Sequence, residues 1–129
     1  MKRRIYVFGN VFLSFDSKPV VMMPHLQRQH PGVEFIQTDP NENFPPHGEV
    51  DLIILDTVQG IDRVMLLDSE DLAKIEKTPV SPHDYDLLFH LLLLKKLRKI
   101  VRVRIIGVPQ KPSHANTLAD VSAIISTLP

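Results

Sequence analysis

Three residues from distant parts of this 129-residue chain could do metal chemistry together: Asp16, Asp56 and His83, the last inside Ser81-Pro82-His83-Asp84. An imidazole nitrogen and two carboxylates suit a borderline divalent ion such as nickel or zinc, and three protein donors would leave coordination positions open for water or substrate. His83 falls in the first turn of an expected helix, where the positive end of the macrodipole disfavours imidazolium and so favours the neutral ring that a metal requires. Each residue also has a plainer explanation. Ser81 as N-cap with Pro82 at the first helical position is a good helix start whatever the histidine does. Asp56, after an apolar run, could cap a following turn, and Asp16 taken alone reads as an exposed turn carboxylate.

Convergence of the three depends on the elements that carry them. Arg4 to Phe8 reads as a buried strand stopped by Gly9-Asn10. Residues Ser17 to His30 mix apolar and polar positions at helical spacing, although Pro19 and Pro24 weaken the pattern, and Pro24 implies a kink or a later start. Val33 to Gln37 is a second strand, and the Pro- and Asn-rich segment Asp39 to Gly48 is irregular. Val50 to Leu55 is nearly continuous in apolar residues, which suits a strand covered on both faces, and Asp56 is expected to end it. Val64 to Leu67 is a fourth strand, with a short extended piece near Ile75. A helix follows from Pro82 to about Arg98. Ile100 to Val108 is a strand whose Arg102 and Arg104 predict a more polar face, and Thr117 to Thr127 is a closing amphipathic helix.

Strands interleaved with helices define the α/β class, here one domain spanning residues 1–129, with a mostly parallel central sheet and helices on both faces. Ligands of such sheets collect beyond the carboxyl ends of the strands. Asp16 and Asp56 both follow such ends.

Composition removes several alternatives. Fifteen basic residues balance fifteen acidic ones, so no long-range field draws the chain to nucleic acid. With no cysteine there is no disulfide, thiolate zinc site or cysteine nucleophile, and a cytoplasmic location is expected. The apolar stretch Leu87 to Leu94 is far shorter than the roughly 20 residues that cross a bilayer, so no membrane span is expected. Gly9 stands alone where a dinucleotide site would want Gly-x-Gly-x-x-Gly. Leu55-Asp56-Thr57 is similar to the aspartic-protease triplet, but Val58 replaces the glycine and the expected helices do not belong to an all-β fold. The basic cluster from Lys95 to Arg104 is explained mostly as a solvated helix end.

The chain resembles the hydrogenase maturation endopeptidases, which remove the C-terminal extension of the nickel-iron hydrogenase large subunit after nickel insertion. Tyr6-Val7-Phe8-Gly9-Asn10 with Asp16 is similar to that family's first strand, Gly-Asn turn and acidic position. Leu52 to Val58 resembles its central strand, Val80-Ser81-Pro82-His83 its histidine segment, and Arg104 to Val108 its last strand. The resemblance implies that Asp16, Asp56 and His83 are metal ligands and form the catalytic site. It also implies that the metal is nickel supplied by the substrate, with zinc or cadmium able to occupy the same position, and that the partner is the hydrogenase large-subunit precursor. Phe15 stands where the family usually has a first acidic residue, and Gln37 where it has an aspartate followed by glycines. Ser17-Lys18-Pro19 replaces a glycine-containing turn, and Val108-Pro109-Gln110 the usual Val-Gln-Pro order. Two other functions are therefore carried alongside the peptidase: a non-catalytic relative that binds a protein partner or a metal without cleavage, and a small-molecule binding module of the doubly wound kind.

Overall fold

The computed structural model describes residues 3–8, 18–38, 50–58, 61–68, 102–109 and 117–128. Their elements run in the order β1 (Arg3–Val7), α1 (Lys18–Gln29), β2 (Val33–Gln37), β3 (Asp51–Val58), β4 (Met65–Asp68), β5 (Arg102–Pro109) and α2 (Thr117–Thr127). The extended piece near Ile75 and the helix from Pro82 to Arg98 lie outside the described residues.

The strands form one five-stranded sheet in the order β2-β1-β3-β5-β4. β1 pairs in parallel with β2 and with β3, and β3 pairs in parallel with β5 along its whole length. β4 alone is antiparallel, lying against β5 at the edge, a direction that hydrophobicity does not encode. The chain leaves β1 toward β2 on one side and β3 toward β5 on the other. The order therefore reverses between β1 and β3, and there the carboxyl ends of an open α/β sheet leave a crevice.

Alternation along the strands divides the core between two faces. Ile5 and Val7 of β1, Ile53 and Leu55 of β3, and Ile106 and Val108 of β5 pack with Met22 and Leu26 of α1 and Val121 and Ile125 of α2. Both described helices thus cover the same face. Tyr6, Phe8, Leu52, Ile54, Val58, Leu67, Val103 and Ile105 form the core of the other face. Burial on both faces explains why β3 reads as an almost unbroken apolar run, and β5 is likewise buried on both faces beyond Arg102.

Two prolines in α1 are accommodated differently. Pro19 is buried in the first turn, where its missing N–H costs no intrahelical bond. Pro24 sits inside the helix without ending it, on the exposed side, so the expectation of a later start is corrected. The stripe Pro19, Met22 and Leu26 supplies the buried contacts that hold the helix down. Gln27 then fastens its end to β2: its amide nitrogen donates to the Val33 carbonyl at 2.7 Å, and its oxygen accepts from the Phe35 N–H at 3.4 Å. His30, the residue after α1, meets Ser122 of α2, Nε2 to Oγ, at 2.7 Å, tying the end of the first helix to the second.

The polar face expected for β5 is also corrected. Arg102 is exposed, but Arg104 is 6% exposed, on the side of the sheet that carries the helices. Its guanidinium reaches Asp51 at 3.4 Å, and its Nε has no hydrogen-bond partner. A long aliphatic stem lets an arginine pass as a core residue along most of its length, which residue type alone did not reveal.

Candidate functional site

Asp56 is the candidate donor that the structure describes; Asp16 and His83 lie outside the described residues. Asp56 does not end its strand, as hydrophobicity suggested, but precedes Thr57 and Val58, both still in β3. The ladder to β5 explains the extra length: Asp56 is opposite Gly107, Thr57 opposite Val108 and Val58 opposite Pro109. The carboxylate therefore leaves the sheet from within a strand that is paired on one side, and the residue is 3% exposed.

On the other side the pairing stops earlier. β1 matches β3 only at Tyr6–Ile54 and Val7–Leu55, and the last bond between them runs from the Phe8 N–H to the Leu55 carbonyl at 3.0 Å. Residues two apart in a strand direct their backbone groups to the same side, so the N–H of Thr57, like Leu55, points toward the β1 side, beyond the end of that strand. It donates to Oδ1 of Asp56 at 2.8 Å. The aspartate thus folds back over the opening between β1 and β3 and satisfies a backbone donor that the sheet has released.

Among the described residues, the surroundings of Asp56 are tight and largely apolar. Alternation sets it on the face that carries Phe8, Ile54 and Val58, all buried. Gly107, its neighbour across the ladder, is hemmed in: a Cβ there would lie 3.0 Å from Cγ2 of Val58 and 3.2 Å from Cδ1 of Ile61. On the helix-covered face of the same edge, Nζ of Lys18 donates to the carbonyl of Pro109 at 3.1 Å, joining the start of α1 to the end of β5. Burial lowers the Lys18 pKa from its ordinary value. The Thr38 N–H donates to the Val7 carbonyl at 2.9 Å, so the end of β2 completes a continuous row of strand ends. Gln37 is exposed and Thr38 buried at that end; the carboxylate nearest in sequence, Asp39, lies outside the described residues.

Among the described residues no group of three histidine, aspartate or glutamate side chains is placed to hold a metal ion. Nor, among them, is any helix long and apolar enough to cross a membrane. Two features escaped the sequence reading. Lys18 carried no signal beyond its place in an altered turn. The hydroxyl of Thr57, 2% exposed and without a hydrogen-bond partner, was hidden because burial and pairing are not properties of a single residue type.

A mostly parallel sheet whose strand order reverses between β1 and β3, with an acidic residue in the central strand, defines the class of molecule: an α/β domain with its candidate site at the carboxyl edge. Solved structures make the architecture more specific. The chain is similar to the [NiFe] hydrogenase maturation protease HybD from Thermococcus kodakarensis, with a TM-score of 0.72 and 17% identity over 98% of this chain and 97% of that one. It is similar to the hydrogenase maturating endopeptidase HybD from E. coli, at TM-score 0.68 and 18% identity over 96% and 88% of the two chains. The solution structure of an endopeptidase from Escherichia coli gives a TM-score of 0.65 and 19% identity over 94% and 86%. No protein-family model matches the sequence, and no curated protein matches it significantly. The chain has the fold of the hydrogenase maturation endopeptidases.

Proposed function

We propose that the chain is a nickel-dependent endopeptidase that removes the C-terminal extension of a nickel-iron hydrogenase large-subunit precursor, with Asp16, Asp56 and His83 as the residues that engage the precursor's nickel. The observation that carries this reading is the position of Asp56: a buried carboxylate, held by the Thr57 N–H at 2.8 Å, at the opening between β1 and β3. The likeness in fold to proteins described as hydrogenase maturation proteases supports it.

In this reading the three side chains act by recognition and orientation. Carboxylate oxygens and a neutral imidazole are donors that nickel accepts. Seating the precursor's own ion against them would fix the scissile bond over the carboxyl edge of the sheet and convert a loose encounter into a positioned one. Asp56 arrives oriented because its Oδ1 accepts from the Thr57 N–H of its own strand.

His83→Ala and Asp16→Ala test the donor set directly. Each purified variant should keep the far-UV circular dichroism of the wild type and leave a nickel-loaded precursor uncut. Normal trimming by either variant removes that residue from the set.

A further inference from the structure

We propose that Lys18 is a positioning residue for the carboxylates of the candidate metal site, its bond to the Pro109 carbonyl setting the spacing between the segments that carry Asp16 and Asp56. The inference rests on the donor set of the peptidase reading above. Lys18 is the first residue of α1, and no acidic residue shares that first turn. A cation there faces the positive end of the helix dipole, where anions and neutral caps are the favoured occupants. The side chain is also half-buried, although its four-carbon stem could carry the ammonium into water. The helix by itself therefore gives no reason for a lysine at this point.

The bond that it makes supplies one. Nζ of Lys18 donates at 3.1 Å to the carbonyl of Pro109, the residue that ends β5 opposite Val58 at the end of β3. Each end of this strap is two residues from the position of a candidate donor. Asp16 precedes Lys18 by two residues, a backbone span of about 7 Å at most. Gly107 precedes Pro109 by two residues and is the partner of Asp56 across the ladder. One charge-assisted hydrogen bond thus spans the carboxyl edge, from the chain that follows Asp16 to the strand that flanks Asp56. An ion held by both carboxylates needs their separation fixed, and groups outside the coordination sphere commonly fix it.

The charge of Lys18 separates this role from a mere neighbourly one by sign. A cation two residues from a metal ligand repels the metal, so Coulomb's law alone has its removal tighten binding. Loss of a positioning contact has the opposite effect.

The test titrates nickel(II) into purified wild type, Lys18→Met and Lys18→Gln by calorimetry, with Asp16→Ala as the reference for a lost donor and urea unfolding run on each protein. Methionine keeps the length without the donor, and glutamine is neutral and stops short of Pro109, so either variant that folds reads the effect. The expected result is nickel(II) affinity about tenfold weaker than that of wild type in both, the low end of the loss that follows removal of a partner outside the coordination sphere. A contact that served only the fold would shift the urea midpoint and leave the affinity of the folded protein alone. Unchanged or tighter binding by the neutral variants overturns the proposal. If Asp16→Ala binds nickel(II) as well as wild type does, the donor set itself fails and this inference falls with it. That outcome is distinct from a weakened Asp16→Ala beside an unweakened Lys18→Met.

Discussion

Gly107→Ala sets two opposing effects against each other at the neighbour of Asp56, and the structure decides the sign. Alanine in a strand is normally favoured over glycine by roughly 0.5–1 kcal/mol, because glycine loses more chain entropy on folding. Here the new methyl would sit 3.0 Å from Cγ2 of Val58 and 3.2 Å from Cδ1 of Ile61, closer than carbon atoms pack comfortably. Ile61 can give way by turning the end of a flexible side chain. Val58 cannot do so easily: it is branched at Cβ, 8% exposed and fixed in the ladder opposite Pro109. Overpacking of this kind costs about 1–3 kcal/mol, so the net effect is a loss of about 1 kcal/mol. With a urea m value of about 2 kcal/mol per molar, the midpoint falls by roughly 0.5 M and the slope is unchanged. Adding Val58→Ala removes the opposing methyl, so the double variant should lose less stability than the two single variants together. A Gly107→Ala protein as stable as wild type, or strictly additive losses in the double variant, would refute the steric account.

Other outcomes follow from the same geometry. Asp56→Asn keeps the shape and the acceptor for the Thr57 N–H, so it should leave stability nearly intact while abolishing precursor trimming; retained trimming would show that the charge is not needed. Arg104→Met retains a flexible apolar stem and removes a buried guanidinium whose Nε is unpaired, so its urea midpoint should match or exceed that of wild type. Asp51→Ala instead strands that guanidinium and should destabilise by about 1 kcal/mol, a modest value because Asp51 is itself half exposed; a destabilised Arg104→Met would reverse this ranking. Ser122→Ala removes the link from α2 to His30 and should cost about 0.5–1.5 kcal/mol in the same assay, with no loss indicating that helix packing alone holds α1 to α2.

Much of the architecture was legible in the residues. Apolar runs located all five described strands within a few positions, and helical spacing located α1 and α2. Departures came where a partner rather than a residue type set the limit. β3 continues through Asp56 because β5 runs alongside it as far as Pro109, and a polar residue can remain in a strand that is paired on one side. Arg104 is buried on the helix-bearing face of the sheet, beside Asp51 of β3, although its charge argued for solvent. Pro24 remains within α1 because the ring lies on the exposed side while Met22 and Leu26 hold the helix to the core.

The sequence by itself determined the donor types, the order of the elements and the two-sided burial of the central strand, because these depend on side-chain chemistry and on periods of 2 and 3.6 residues. Only the tertiary structure decided that the reversal falls between β1 and β3, that Asp56 folds back onto the Thr57 N–H at that opening, and that the Thr57 hydroxyl is left without a partner. Strand order and hydrogen-bond satisfaction are relations between segments distant along the chain. They come into being when the sheet closes, and no local pattern of residues carries them.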